Sequence, residues 1–146
     1  MPYMVDSNIL VRVTHRSDPQ RRLAWQALTT LWARGETLYY TSQILGELWN
    51  VCTRPTQARG GLGMTVVQTE RRVRLFERNL ELLPDSLAVH EEWRRLLVAH
   101  AVIGVQVHDA RLAAAMYIHG VPHLLTFNIN DFRRYPGITA VHPQGI

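Results

Sequence analysis

The sequence predicts an α/β fold in which a central, mainly parallel sheet is covered by helices on both faces. Short apolar or β-branched runs alternate with segments whose apolar residues recur at helical spacing, as in βαβ units. The length of 146 residues suits one hydrophobic core. A hydrophobic content of 47% with 19% charged residues is typical of globular proteins. We therefore expect a single domain over residues 1–146.

Five segments have the composition of short strands, because they are rich in apolar, β-branched or aromatic residues. The first is a short apolar run that ends in an acid, Asp6, and the second mixes threonine, leucine and tyrosine. The predicted strands are residues 3–5, 37–41, 80–83, 121–127 and 138–141.

Six helices are predicted between these strands. Ser17 or Asp18 can cap the second helix, Pro19 suits its first turn, and Gly35 stops it. Ser86 caps the fifth helix. The predicted helices span about residues 7–13, 19–34, 42–52, 65–78, 86–100 and 109–119.

Residues 53–63 are the only stretch rich in glycine and proline. We interpret them as a mobile basic loop and not as a domain linker, because neither flank is large enough to form its own core.

Sixteen basic residues against twelve acidic ones give a formal charge of +4 and a pI near 9.8. The positive charge is carried by arginine, whose planar fork can bind two phosphate oxygens. Binding of a polyanion and a merely basic surface are both compatible with this charge.

The composition also bears on location. The sequence contains no apolar run long enough to predict a membrane span, and its N-terminus lacks the pattern of a secretion signal. A lone Cys52 cannot form an internal disulfide. We expect a cytoplasmic protein without a membrane partner.

Asp6 directly follows the first predicted strand, and ligands of open α/β sheets gather beyond the carboxyl ends of strands. Asp6 could equally cap the helix that follows. Glu47 lies on the border of the buried face of the third helix, where a half-exposed surface acid is the ordinary alternative.

Asp109 shares one side of its helix with Leu112, Ala113 and Met116, so its carboxylate should point inward. A buried carboxylate must be neutralised, hydrogen-bonded or bound to a cation. The alternative is that Asp109 only caps the helix or favourably meets its dipole.

The acids are more informative together. Asp6, Asp109 and the pair Asn128 and Asp131 each lie just after a predicted strand or at a helix start, and Glu47 follows its strand by less than two helical turns. Carboxylates that converge on one cleft repel each other unless a cation lies between them. Oxygen ligands without cysteine or a clear histidine pair favour Mg²⁺ or Mn²⁺ over Zn²⁺.

Four segments in order along the chain are similar to motifs of one family, the PIN-domain nucleases, and more narrowly to the VapC-like toxins of bacterial toxin–antitoxin pairs. The segments are residues 5–10, 42–51, 108–114 and 125–132.

The resemblance implies a three-layer α/β/α fold and an acidic pocket that binds Mg²⁺ or Mn²⁺ and hydrolyses RNA phosphodiester bonds. Asp6, Glu47 and Asp109 match the three core acids, which would act in catalysis and hold the metal. Asn128 stands where many members have aspartate, and Asp131 follows three residues later. Either could complete the site, and the number of metals stays open.

Supporting roles are expected for the small polar residues beside these acids. Ser7, Asn8 and Thr126 would orient the carboxylates or hold a water. Arg54 and Arg59 of the basic loop are candidates for contacting RNA, with a merely solvated loop as the alternative.

The resemblance further implies an RNA substrate, a cognate antitoxin and a homodimer. The main alternative is a PIN-like protein that binds RNA or a partner without cutting. A second alternative is a phosphate hydrolase with Asp6 as nucleophile, but such enzymes usually have a second aspartate where this chain has Asn8.

Overall fold

A computed structural model describes all residues from 1 to 146. Its five strands form one sheet in the order β3-β2-β1-β4-β5, and every neighbouring pair is parallel. The predicted α/β class is confirmed, with a sheet that is entirely parallel. The strands are β1 (Tyr3–Val5), β2 (Leu38–Tyr40), β3 (Glu81–Leu82), β4 (His123–Leu125) and β5 (Thr139–Val141).

Six α-helices connect the strands, and two 3₁₀ turns follow β4 and β5. The helices are α1 (Ser7–Thr14), α2 (Arg21–Ala33), α3 (Ser42–Thr53), α4 (Val66–Asn79), α5 (Leu87–Ala99) and α6 (Gln106–His119). The 3₁₀ turns are Ile129–Phe132 and Pro143–Gly145.

The strand order explains the three layers. The chain steps from β1 to β2 to β3 in one direction and then crosses back beyond β1 to β4. Because parallel crossovers are almost always right-handed, a reversal of direction moves the connecting helices to the other face. Consistently, α1 packs on α2 and α3, whereas α5 and α6 pack on each other. The reversal lies between β1 and β4, where ligands of open α/β sheets bind.

Two helices begin at different residues from those predicted. The side chain of Asp18 accepts a hydrogen bond from the Gln20 backbone N–H (2.8 Å), so Asp18 closes a turn and α2 starts later. The sixth helix starts earlier, at Gln106, after a turn in which Gly104 has a positive φ of 61°. Asp109 therefore lies in the first turn of α6 and not at its start.

The core is one cluster of 31 buried hydrophobic residues. Met4 and Val5 of β1 and Leu124 and Leu125 of β4 are fully buried, as expected of central strands covered on both faces. They form the floor beneath the ends of these strands. None of the helices combines the length and the apolar character that crossing a membrane requires.

Candidate active site

Asp6 ends β1 and caps α1 at the same time. Its Oδ1 accepts a hydrogen bond from the Ser7 backbone N–H (2.7 Å), and its Oδ2 accepts from the Thr126 hydroxyl (2.9 Å) and the Asn8 amide (3.3 Å). The side chain is buried, with 6% of the residue exposed. The capping role therefore coexists with a place in the acidic pocket, because only one of its oxygens is spent on the cap.

Thr126 joins the ends of β4 and β1. Its buried hydroxyl donates to Asp6 and accepts hydrogen bonds from the Asn8 amide (3.0 Å) and the Asn128 backbone N–H (3.0 Å). The Phe127 backbone N–H donates to the Asn8 side-chain oxygen (3.2 Å). One donated and two accepted bonds saturate the hydroxyl, so Thr126 fixes the position of the Asp6 carboxylate.

Glu47 reaches the same end of the sheet from α3. Its Oε2 accepts a 2.6 Å hydrogen bond from the Ser7 hydroxyl, and its Oε1 accepts a 3.0 Å bond from the Gln43 amide. The Gln43 amide also donates to the backbone carbonyl of His108 (2.9 Å). Gln43 thus ties the helix that carries Glu47 to the helix that carries Asp109.

Sequence reasoning missed Gln43, although its place four residues before Glu47 puts both side chains on one helical face. Its Oε1 atom is buried and has no hydrogen-bond partner. This leaves an unpaired amide oxygen on the side chain that holds Glu47.

Asp109 is half-buried and accepts no hydrogen bond from any protein group. Its pKa is raised to about 7, chiefly by burial and also by the charges of Asp6, Asp131 and Glu47, against a smaller opposite effect of Arg134. The sequence predicted that the Asp109 carboxylate points inward, and its partial burial agrees with that prediction. Asp109 is a carboxyl group with neighbours of its own charge and no donor to stabilise it.

Asp6 is perturbed in the same way. Its pKa is raised to about 6, because burial, with a smaller contribution from the Glu47 charge, outweighs the hydrogen bonds from Thr126 and Ser7 that lower it. Asp6, Glu47, Asp109 and Asp131 therefore form one electrostatic unit, which we call the carboxylate cluster.

The two candidates for the fourth acidic position differ in how they interact with the rest of the site. Asn128 is exposed, and its backbone N–H, not its side chain, bonds to Thr126. Asp131 is exposed in the 3₁₀ turn after β4, and its charge acts on Asp109. The electrostatic link favours Asp131.

No three histidine, cysteine, aspartate or glutamate side chains converge closely enough to form a ready-made metal cage. Mg²⁺, however, is often held by only one or two carboxylates, several waters and the phosphates of a substrate. The donor set, which is oxygen from crowded carboxylates, fits Mg²⁺ or Mn²⁺ of that kind.

A cavity of about 530 Å³ opens beside the cluster. Its lining includes the acids Asp18 and Glu47, the arginines Arg12 and Arg54, and the polar residues Ser7 and Asn8. Anionic and cationic side chains thus face one space.

Arg12 was also missed from the sequence, although it follows Asn8 by four residues on α1. Its Nη1 lies 3.3 Å from both carboxylate oxygens of Asp18, and its guanidinium carbon lies 4.5 Å from the centre of the Phe127 ring. Its Nε and Nη2 groups donate to no protein acceptor. Arg12 is therefore fixed in place with free donors in a cavity that Glu47 also lines.

The basic loop, residues 53–63, makes hydrogen bonds within itself. Arg54 Nη1 donates to the Arg59 carbonyl (2.7 Å), and the Gly63 backbone N–H donates to the Arg54 carbonyl (2.8 Å). A Cβ at Gly61 would lie 2.2 Å from the Pro55 carbonyl oxygen, so only glycine fits there. Arg54 lines the cavity, whereas Arg59 does not.

Comparisons with known proteins agree with this architecture. The family model described as the PIN domain matches residues 3–138. No curated protein sequence matches the chain. The chain belongs to the PIN domain family, which confirms the resemblance seen in the sequence.

Solved structures of low sequence identity share the fold. VapBC2 from Rickettsia felis, solved in complex with a DNA fragment from the VapBC2 promoter, matches with a TM-score of 0.70 and 22% identity over 97% of this chain and 98% of that chain. A toxin–antitoxin complex from Klebsiella pneumoniae matches at 0.67 and 22% identity, over 99% of each chain. VapC20 of Mycobacterium tuberculosis, a sarcin–ricin-loop-cleaving toxin, matches at 0.67 and 16% identity, over 94% of this chain and 98% of that chain.

Proposed function

We propose that this PIN domain protein is a ribonuclease that hydrolyses RNA phosphodiester bonds with the help of Mg²⁺ or Mn²⁺. The observation that carries the proposal is the carboxylate cluster at the point where the sheet order reverses. There, a half-buried Asp109 without any hydrogen-bond donor faces three other acids. Such an arrangement is costly unless a cation balances it.

Asp6, Glu47 and Asp109 would hold the metal, which when bound neutralises phosphate charge and lowers the pKa of a water. Ser7 and Gln43 fix both oxygens of Glu47, and Thr126 and Asn8 fix one oxygen of Asp6. These hydrogen bonds keep the carboxylates in place while a substrate binds. Asp131 serves as the fourth acid, since its charge already acts on Asp109.

The chain's arginines would bind the substrate. Arg12 has free N–H groups in the cavity that Glu47 lines, and Arg54 lines the same cavity. A guanidinium can give two parallel hydrogen bonds to a phosphate, so these side chains would hold the RNA backbone beside the carboxylates. Arg59 contributes by holding Arg54 through its carbonyl.

We further propose that the protein is the toxin of a toxin–antitoxin pair, restrained by a separately encoded antitoxin, active in the cytoplasm and homodimeric. Support comes from the relatives of the same fold, which include a toxin–antitoxin complex and a toxin that cleaves the sarcin–ricin loop.

The test is cleavage of total cellular RNA by purified protein with Mg²⁺ or Mn²⁺ and with EDTA. Asp6→Asn and Asp109→Asn should each abolish cleavage, because each removes a charge of the cluster. Asp85→Asn is the matched control, since Asp85 is exposed and pairs with Arg111 away from the cluster. Circular dichroism checks that every variant is folded. Full cleavage by the Asp6→Asn protein would refute the assignment.

A protein that binds RNA or a partner without cutting is the second candidate. It is favoured by the lack of a ready-made metal cage. Calorimetric titration with Mn²⁺ separates the two: the ribonuclease should bind the ion and lose that binding in Asp109→Asn. A pure binding protein should retain RNA in the presence of Mn²⁺ and release no fragments.

A further inference from the structure

A second and larger cavity, of about 660 Å³, lies between the end of α1 and α4. Three arginines line it: Arg16 after α1, and Arg71 and Arg72 on α4. No aspartate or glutamate lines it. We call this cavity the arginine groove.

The three arginines have no protein partners. Arg16, Arg71 and Arg72 make no ion pair and no side-chain hydrogen bond. Other arginines of the chain do pair with carboxylates, as Arg74 does with Glu70. Three like charges around one cavity repel each other, and a bound polyanion removes that repulsion.

The arginine groove lies next to the cavity beside the carboxylate cluster. His15 and Leu62 line both cavities, so a polynucleotide bound at one would have the other as its neighbouring surface. A further cavity of about 440 Å³ shares Arg16 and Arg72 with the groove and adds Arg21 and Arg22 beside one acid, Asp18. The two neighbouring cavities are therefore lined by more arginines than acids.

We propose that the arginine groove binds the phosphate backbone of single-stranded RNA on one side of the bond that is cleaved. The proposal rests on the proposed function, because a polynucleotide cut at the carboxylate cluster must continue beyond it. Arginine gives the sequence-independent phosphate contacts that such a path needs.

The floor of the groove suits a single strand. Leu62, Met64 and Leu75 add apolar surface beside the arginines. Unpaired nucleotides can place sugars and bases on apolar surface while their phosphates face cations, whereas a duplex keeps its bases stacked inside.

An acidic protein segment is the other ligand that three arginines would attract. RNA is favoured because the groove lies next to the cavity that Ser7, Asn8 and Glu47 line. A protein segment requires no such connection. The experiment is designed to separate these two ligands.

Binding of a short fluorescein-labelled single-stranded RNA is measured by anisotropy, in EDTA so that no cleavage occurs, at several NaCl concentrations. The test variant is Arg16→Gln/Arg71→Gln. The matched control is Arg34→Gln/Arg94→Gln, which makes the same change in net charge at two exposed, unpaired arginines outside both cavities. Thermal melting verifies that both variants are folded. A poly-glutamate peptide is titrated in parallel.

The test variant should bind the RNA on the order of tenfold more weakly at low salt, and the control should bind like the unmodified protein. The slope of log affinity against log salt should fall by about 1.4, since each lost phosphate contact removes about 0.7 for single strands. Equal losses in test and control variants would overturn the proposal. So would unchanged RNA affinity in a test variant that has lost poly-glutamate binding.

Cleavage of the same RNA with Mg²⁺ is followed alongside. If the unmodified protein binds RNA through the groove and releases no fragments, the groove stands and the ribonuclease assignment fails. If it cleaves while the test variant binds as tightly as the control, the assignment stands and the groove proposal fails.

Discussion

The carboxylate cluster and the arginine groove are both assemblies of like charge, and they differ in how the fold holds them. The carboxylate cluster lies at the ends of β1 and β4 and at helix starts, with Asp6 buried and hydrogen-bonded. The arginine groove is formed by a helix end, a loop and one face of α4, and Arg16 and Arg71 are exposed.

The difference in burial gives the two regions different chemistry. Burial away from water, together with repulsion from neighbouring carboxylates, raises the pKa of Asp6 to about 6 and that of Asp109 to about 7. Exposed guanidinium groups stay charged and are screened by salt. The cluster is therefore suited to a small cation and to bond chemistry, and the groove to loose, salt-sensitive contacts.

The largest expected effect is the difference in RNA cleavage between a variant of the carboxylate cluster, which should lose catalysis, and a variant of the arginine groove, which should lose only RNA affinity. Glu47→Gln should slow single-turnover RNA cleavage by at least about a hundredfold, because even groups that only orient metal ligands change activity by 10–100-fold. Arg71→Gln should lower kcat/KM by less than about tenfold. Glu91→Gln, at an exposed and unpaired acid on α5, is the control for loss of one negative charge. An Arg71 effect as large as that of Glu47 would remove the distinction between the regions.

The next effect concerns the hydrogen bonds that hold the cluster. Thr126→Val should destabilise the protein by about 2–3 kcal/mol, because it removes a donor to Asp6 and leaves the Asn128 N–H without a partner. The pKa of Asp6 should rise above about 6, since the Thr126 hydroxyl lowers it. Urea unfolding and NMR titration measure these changes.

Thr69→Val is the matched control for Thr126→Val. Thr69 is equally buried, but its hydroxyl donates only to the Thr65 carbonyl of α4. A similar loss of stability in the two variants would contradict a special role for the Thr126 network.

A smaller effect should appear in the pH dependence of stability without divalent ions. The pKa of Asp109 is raised to about 7 in the folded protein, whereas in the unfolded chain it returns to the ordinary aspartate value of 3.8. The folded state then binds more protons between these values, so the free energy of unfolding falls as pH rises from about 4 to about 7.

Asp109→Asn should flatten this fall and stabilise the protein at pH 8 by about 1–2 kcal/mol. This figure is well below the ~4 kcal/mol that a fully buried group with the same shift would give, because solvent screens a half-buried carboxylate. Thermal unfolding at pH 5 and pH 8 measures it. Adding Mn²⁺ at pH 8 should raise the Tm of the unmodified protein more than that of the variant. A variant less stable than the unmodified protein at pH 8 would contradict the repulsion.

The smallest effect is expected where the two regions meet. Arg12→Lys keeps the charge but loses the contact with the Phe127 ring, which should cost about 0.5–1 kcal/mol in urea unfolding. Arg16→Lys, in the arginine groove, has no aromatic partner to lose and should change stability less. Equal effects would show that the Phe127 contact contributes nothing.

The elements of the fold were predicted well because their signals are local. Apolar runs placed β1 and β4, and Ser86, predicted to cap the fifth helix, does accept a hydrogen bond from the Val89 backbone N–H at the start of α5. The boundaries of α2 and α6 were wrong because Asp18 and Gly104 form turns whose hydrogen bonds and φ angle compete with a helix start.

The residues of the candidate site also differ in whether a local sequence signal identified them. Asp6 was proposed as a candidate from its place at a strand end, and Glu47 and Asp109 from apolar neighbours on their helices, which are local signals. Gln43 and Arg12 were not identified, since a polar residue on a polar helix face conflicts with nothing.

The sequence by itself determined the α/β class and the approximate place of each strand, and it supplied the three candidate acids, because hydrophobic periodicity within a few residues records which side chains are buried. Only the tertiary structure decided which polar groups meet. The reversal of strand order brings Thr126 to Asp6, 120 positions apart in the chain. The packing of α1, α4 and residues 53–63 brings Arg16, Arg71 and Arg72 around one cavity. Such meetings depend on crossover handedness and helix packing, which act between elements and leave no period in the sequence.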